Sequence, residues 1–251
     1  MIVMGILNVT PDSFADGGRH NNLDAAVKRG LEMLSEGVDI VDIGGESTKP
    51  EVERVSEVEE LARVIPVITE LAKHGARMSI DTMRASTARA AIAAGAAIIN
   101  DVSGGLADPE MLPTAGALGV PYIAMHWRGH SKDMNSRAVY DDVVKDVISE
   151  LQERISAALD AGISKDHLII DPGIGFAKDA HHNWEIIDSI EDFVAMGYPV
   201  LIGASRKRFL GGDNPDSREA ATIELTKRLS TSGIWGVRVH SVKPHKEVLG
   251  A

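Results

Sequence analysis

The chain of 251 residues contains no cysteine. This removes disulfides, thiolate nucleophiles and cysteine-ligated zinc, and it permits a cytoplasmic address. Aromatic residues are scarce, at 4%, so a core must be built from Ile, Val, Leu and Ala. Net positive charge is also missing. The formal charge is −11, which argues against a nucleic-acid binder, because polyanion binding depends on displacing counterions with many Lys and Arg. An anionic ligand would need a local positive field. Finally, no apolar run is long enough for a membrane span. Residues 2–7 are apolar but too short to cross a bilayer, and they lack the basic flank and cleavage site of a signal peptide, so they read as a first strand.

What is present is an ordinary globular balance, with 44% hydrophobic and 25% charged residues. The length lies close to the ~250 residues of an α/β barrel, and no low-complexity linker divides it, so residues 1–251 are expected to form one domain. Short apolar runs recur at 2–7, 40–43, 78–80, 98–99, 122–125, 168–170, 200–202 and 236–239. Between them lie helix-like segments such as 23–36, 58–73, 85–94, 142–161 and 220–229. Several of these end at a glycine, Gly37, Gly75, Gly95 or Gly162, suited to a left-handed C-cap. Alternation of strand and helix predicts a parallel sheet. Eight continuous apolar runs favour a closed (β/α)8 TIM barrel, with an open doubly wound sheet as the alternative.

In such a barrel the C-terminal strand ends open onto one face, where ligands bind. The runs lead into Asn8, Gly44-Gly45-Glu46, Asp81, Asn100-Asp101, His126, Asp171, Ser205-Arg206-Lys207, and Arg238 with His240. Asp81, Asn100 and Asp171 form an acceptor-rich group suited to a ligand edge carrying several N–H donors, such as the 2-aminopyrimidinone edge of a pterin. Arg206, Lys207, Arg208, Arg238 and His240 form a cationic group from the last two strands, the part of a barrel that frequently holds phosphate. Plainer roles compete at some positions. Asp171-Pro172-Gly173 could be only a turn, Asp42 is expected to anchor a neighbouring loop, and His181 and His182 are expected to cap a helix.

Read together, Gly5-Ile6-Leu7-Asn8-Val9-Thr10-Pro11-Asp12-Ser13-Phe14, Asp42-Ile43-Gly44-Gly45-Glu46-Ser47-Thr48-Lys49-Pro50, Ser79-Ile80-Asp81-Thr82, Ile99-Asn100-Asp101, Asp171-Pro172-Gly173-Ile174-Gly175-Phe176, Ser205-Arg206-Lys207-Arg208-Phe209 and Arg238-Val239-His240 resemble the dihydropteroate synthase family across almost the whole chain. The resemblance implies a TIM barrel that joins 6-hydroxymethyl-7,8-dihydropterin pyrophosphate to p-aminobenzoate, releasing pyrophosphate and 7,8-dihydropteroate in folate biosynthesis. By matching positions it implies that Asp81, Asn100, Asp171 and Lys207 hold the pterin, with Met125 and Phe176 as apolar walls. Asn8, Arg238 and His240 would hold pyrophosphate, Asn8 through Mg²⁺. Thr48, Pro50, Phe176 and Lys207 would border p-aminobenzoate, Asp12 would lie on a closing loop, and Ser205 and Arg206 would contribute to substrate binding.

The resemblance also implies a homodimer through barrel helices and sulfonamides as p-aminobenzoate mimics. The chain departs from the family pattern at Lys49, usually Arg, at Glu51, usually Gly, and at Ser241, commonly Asp, and its last helix reads as short. Two alternatives follow. A corrinoid-linked pterin methyltransferase would share the barrel and the acceptor edge but has no reason to keep a pyrophosphate site. A degenerate paralogue would bind pterin without making product.

Overall fold

The computed structural model describes residues 1–10, 19–46, 55–130 and 134–250, with the side chains of 19–22 and 134–135 left aside. Eight parallel strands alternate with helices. They are β1 (Ile2–Asn8), β2 (Ile40–Gly44), β3 (Met78–Asp81), β4 (Ile98–Asp101), β5 (Tyr122–Met125), β6 (Leu168–Asp171), β7 (Leu201–Ile202) and β8 (Gly236–Val239). Hydrogen-bonded neighbours run β6-β5-β4-β3-β2-β1-β8-β7. A parallel bridge between Ile170 and Val200 joins the two ends of that order and closes the barrel. The seventh strand is shorter than the expected 200–202 because Val200 pairs only through this single bridge.

The helices are α1 (Arg19–Ser35), α2 (Glu57–Ala72), α3 (Ala85–Ala94), α4 (Met111–Leu118), α5 (Val143–Asp160), α6 (Ala180–Asp188), α7 (Ile190–Val194), α8 (Glu219–Leu229) and α9 (Lys243–Val248). Local chemistry sets several boundaries. Ser56 accepts from the Glu59 N–H at the start of α2, and Asp142 accepts from the Lys145 N–H at the start of α5. Asp179 and His182 form a reciprocal capping box at the start of α6, so His182 does the capping expected of it. Gly37, Gly75, Gly95 and Gly162 all have positive φ, as a left-handed helix end requires. No helix among the described residues is long and apolar enough to cross a membrane.

Strand side chains alternate between two cores. Outward residues such as Val3, Leu7, Val41, Ile43, Ile80, Ile99, Tyr122, Ile170 and Val237 join the large cluster beneath the helices. Inward residues Met4, Ile40, Ile98, Ile123, Ile169 and Leu201 form a separate small cluster that fills one end of the barrel. This is the layered interior of a packed barrel, and because every strand runs the same way, the layer above it comes from residues two positions further along.

Candidate active site

Two residues beyond that apolar layer, the same strands carry Ile6, Asp42, Asn100, Met125, Asp171 and Gly203, and the neighbouring strands carry Asp81 and Arg238. Here the barrel interior turns polar. Asp42 is fully buried and accepts from Ser79 Oγ at 2.6 Å, Arg238 Nε at 2.6 Å, and Asn100 Nδ2 at 3.3 and 3.2 Å. Arg238 also donates from Nη2 to Asp81 Oδ2 at 2.6 Å. Contacts from β8 to β3 and from β4 to β2 are feasible only across the interior, so these side chains share one chamber. A buried guanidinium needs partners, and Asp42 with Asp81 supplies them. Burial would lower the Arg238 pKa, but the two carboxylates outweigh it and keep the group charged.

Asp42 therefore does not anchor a loop. Its buried carboxylate is the hub of the interior network, and it also fixes a chemical orientation. A carboxylate can only accept, so the Asn100 amide must turn Nδ2 toward it, which leaves the Asn100 carbonyl oxygen directed away.

Asp171 is buried beside this network and accepts from the Gly173 N–H at 2.7 Å. Burial pushes its carboxyl upward, opposed by that hydrogen bond and by the charges of Lys207, Arg238 and Lys178. Asp81 is likewise pushed up by burial and restrained by Arg238, with Asp42, Glu60 and Asp101 adding to the rise. Lys207 donates to the Ile174 carbonyl, and its ammonium lies 4.3 Å from the Phe176 ring centroid. Burial lowers its pKa to about 7, against the pull of Asp171 and with the push of Arg238. Met125 is buried in the same interior layer.

At the upper rim, Ser205 Oγ and His240 Nδ1 are 2.9 Å apart, and Ser205 Oγ also accepts from the His240 N–H. Glycines leave room between the polar groups. A Cβ on Gly44 would sit 3.6 Å from Asp81 Oδ2 and 3.7 Å from Asn8 Oδ1, and one on Gly203 would sit 3.7 Å from Asp171 Oδ2. Without those carbons the mouth keeps space for a flat ligand.

The structure thus brings together Asn8, Asp81, Asn100, Met125, Asp171, Phe176, Lys207, Arg238, Ser205 and His240. It does not bring Arg206 there. That residue adopts φ 58°, and its guanidinium is committed to Glu219 at 2.6 Å, Asp216 at 3.1 Å and Ser241 Oγ at 2.8 Å, on the α8 side. Nor are acceptors and cations segregated, because Arg238 sits among the carboxylates. Asp12, Thr48 and Pro50, together with Lys49 and Glu51, lie outside the described residues.

Alternation also explains two strand-end residues that face away from the chamber. Asp101 accepts from Tyr122 Oη at 2.7 Å and from the Ser103 and Gly105 N–H groups. His126 bonds Glu150 at 2.9 Å and Lys178 at 2.9 Å.

Residues 4–240 match the pterin binding enzyme family. Dihydropteroate synthase of Mycobacterium leprae is 48% identical over 98% of this chain and 90% of its own length. Among solved structures, Xanthomonas albilineans dihydropteroate synthase with 4-aminobenzoic acid superposes with TM-score 0.93 at 44% identity, covering 99% of this chain and 90% of that one. The same enzyme in complex with 7,8-dihydropteroate gives TM-score 0.89 at 41% identity over 99% and 91%. With an acceptor-lined barrel mouth and near-complete coverage in both directions, the chain belongs to the pterin binding enzyme family, among its dihydropteroate synthases.

Proposed function

We propose that the enzyme condenses 6-hydroxymethyl-7,8-dihydropterin pyrophosphate with p-aminobenzoate by a dissociative displacement at this barrel mouth. The observation that carries the reading is the convergence of Asp81, Asn100, Asp171 and Lys207 with Arg238 around a glycine-floored space. Asp81, Asp171 and the outward carbonyl of Asn100 accept the N–H donors of the pterin, while Lys207 donates to its acceptors. Met125 and Phe176 cover its faces. The Phe176 ring and the Lys207 stem border p-aminobenzoate, a pocket to which the family resemblance also assigns Thr48 and Pro50, with Asp12 assigned to a loop that closes over the site.

The bond between the pterin methylene and the bridging oxygen breaks first, and its electron pair leaves with pyrophosphate. Arg238 and His240, with Ser205 supporting the imidazole, neutralise that growing charge in a site poor in water. The buried carboxylates Asp81 and Asp171 stabilise the positive charge left on the pterin. The neutral arylamine then donates its lone pair to the methylene, and the acidic proton of the resulting arylammonium passes to the departing pyrophosphate, so no strong general base is needed. Enclosure protects the cation from water.

Mg²⁺ fits the donor set in a limited way. Asn8 offers a hard amide oxygen next to Asp81, and Mg²⁺ commonly takes few protein ligands, completing its shell with water and substrate phosphates. Bound there, it would supply charge neutralisation of pyrophosphate.

The same reading carries a homodimer through the barrel helices, a cytoplasmic address, and inhibition by sulfonamides as p-aminobenzoate mimics. The decisive experiment supplies both substrates with Mg²⁺ and measures dihydropteroate and pyrophosphate together. Substrate labelled with ¹⁸O at the bridging position, incubated without p-aminobenzoate, tests the bond order. Scrambling into non-bridging oxygens is expected, and binding of the pterin pyrophosphate without any product would favour a non-catalytic paralogue.

A further inference from the structure

The loop between β6 and α6 carries Asp171 at its root and Phe176 at its tip, yet its backbone forms no sheet or helix of its own. Side chains hold it from both sides. From the barrel interior, Lys207 donates to the Ile174 carbonyl. From the outer side, Lys178, only 9% exposed, lies 3.1 Å from the Gly173 carbonyl oxygen, 3.1 Å from that of Phe176 and 2.9 Å from His126 Nδ1. Tyr140 Oη donates to the Ala177 carbonyl at 2.9 Å, and the Gly175 N–H donates to Asn183 Oδ1 at 2.6 Å.

The close approach depends on glycine. Gly173 and Gly175 have φ of 69° and 75°, and a Cβ on the first would lie 2.5 Å from the His126 carbonyl oxygen, while one on the second would lie 2.6 Å from Lys207 Cδ.

A proton inventory fixes the state of this outer grip. An ammonium has three N–H donors, and Lys178 meets three acceptors. His126 Nδ1 can accept only if the proton is on Nε2, and Nε2 faces Glu150 Oε2 at 2.9 Å, where it donates. Glu150 also receives Arg128 Nε at 3.1 Å, and the Arg128 guanidinium lies 3.9 Å over the Tyr140 ring. A directed chain of donors therefore runs from Lys178 in the loop through His126 to Glu150 on α5. Every link is consistent with a neutral imidazole between a cation and a carboxylate.

We infer that Lys178 is a positioning residue for the pterin site: its ammonium, oriented by His126 and Glu150, holds the Gly173 and Phe176 carbonyls so that Asp171 and Phe176 face the ligand. This rests on the reading of the barrel mouth as a pterin site. Lys178 does not touch the ligand itself. Its grip is also sensitive to pH, because loss of one proton leaves two N–H donors for three acceptors. Among the described residues, the charged and titratable groups around it are Asp171 on β6, Lys207 after β7, His126 and Arg128 after β5, Tyr140 before α5, Glu150 on α5, and Asp179 and His182 at the start of α6. Burial brings Lys178 down to about 7, and burial with the neighbouring Lys178 charge brings His126 down to about 4. Neutral pH is then where the grip begins to loosen.

The absence of any cysteine makes a clean test available. Lys178→Met removes the ammonium and keeps the volume. Lys178→Cys, alkylated with bromoethylamine in denaturant and refolded, restores an amine at the same reach, with the native chain taken through the same cycle as control. Equilibrium binding of the pterin pyrophosphate without p-aminobenzoate is the primary readout, followed across pH, with melting and turnover alongside.

Lys178→Met removes all three of these hydrogen bonds and is expected to weaken pterin binding by about tenfold to a hundredfold, as much as one charge-assisted hydrogen bond to the ligand would contribute. Its alkaline decline should be shallower than in the native protein, and aminoethylated Lys178→Cys should recover the affinity. Native pterin affinity in Lys178→Met overturns the inference, as does failure of the aminoethylated protein to recover it when the control does. If the native protein binds pterin but makes no product, the catalytic reading falls while the binding comparison still decides the role of Lys178.

Discussion

Replacing Asp42 with Asn removes one charge and almost no volume from the centre of the barrel. The native carboxylate accepts from Ser79, Asn100 and Arg238 at once, at 0% exposure. An amide offers one accepting oxygen and turns an N–H₂ group toward donors. Breaking a buried ion pair from one side destabilises by ~3–5 kcal/mol. Arg238 keeps Asp81 and has a side chain 18% exposed, so the loss falls at or just below the bottom of that range, about 2–3 kcal/mol. For a chain of this size, at about 2–4 °C per kcal/mol, Tm should fall by about 4–12 °C. The Asn100 amide also loses the group that dictates its orientation, so pterin affinity should fall by about tenfold. Calorimetric melting and a pterin titration on the same preparation measure both. An unchanged Tm together with native affinity would refute Asp42 as the hub, because among the described residues no other carboxylate accepts from Ser79, Asn100 and Arg238 together.

Lys207→Ala and Asp171→Asn should each remove most turnover in the steady-state assay, since both lie in the acceptor and donor set of the proposed pterin site. Two pH trends should oppose each other. Lys207 and Lys178 are both lowered from 10.5 to about 7, so the unfolded chain binds more protons between those values and their contribution to stability rises with pH across that window. Pterin kcat/KM should instead fall above about pH 7 as the ammonium groups are lost, and Lys207→Arg should move that decline to higher pH; parallel trends would contradict the assignment. Gly203→Ala should fold normally, since the new Cβ meets Asp171 Oδ2 at an ordinary 3.7 Å, but it should weaken pterin binding by narrowing the floor of the mouth. Arg84 bonds Glu46 at 2.7 Å and the Val55 carbonyl at 2.6 Å, gripping both flanks of the segment that bears Thr48 and Pro50, and it also pairs with buried Glu60. Arg84→Ala should lower stability by about 2–4 kcal/mol and raise KM for p-aminobenzoate, and a native KM would detach this arginine from the loop.

The strands were legible because continuous apolar runs separated by glycine-ended amphipathic stretches leave few alternatives to a parallel barrel. The polar residues after those runs were legible as a group for the same reason, since parallel strands deliver their C-terminal ends to one face. Alternation was a usable signal that could have gone further. Counting back by two from Asp81, Asn100, Asp171 and Arg238 reaches Ser79, Ile98, Ile169 and Gly236, and the same parity picks out Asp42 and sets Asp101 and His126 aside.

The linear sequence by itself determined the alternation of eight strands with helices, the polar rim at the strand ends, and the family to which the chain belongs, because each depends on periodicity or on residue types at strand ends. Only the tertiary structure decided who pairs with whom. Arg238 meets Asp42, which is 196 positions away, Arg206 turns to α8 while its neighbour Lys207 enters the site, and Lys178 grips its loop while bonded to a histidine that follows another strand. Those choices follow from closing the barrel: closure places distant side chains within hydrogen-bonding reach, and burial then requires each charge to find the partner that geometry offers.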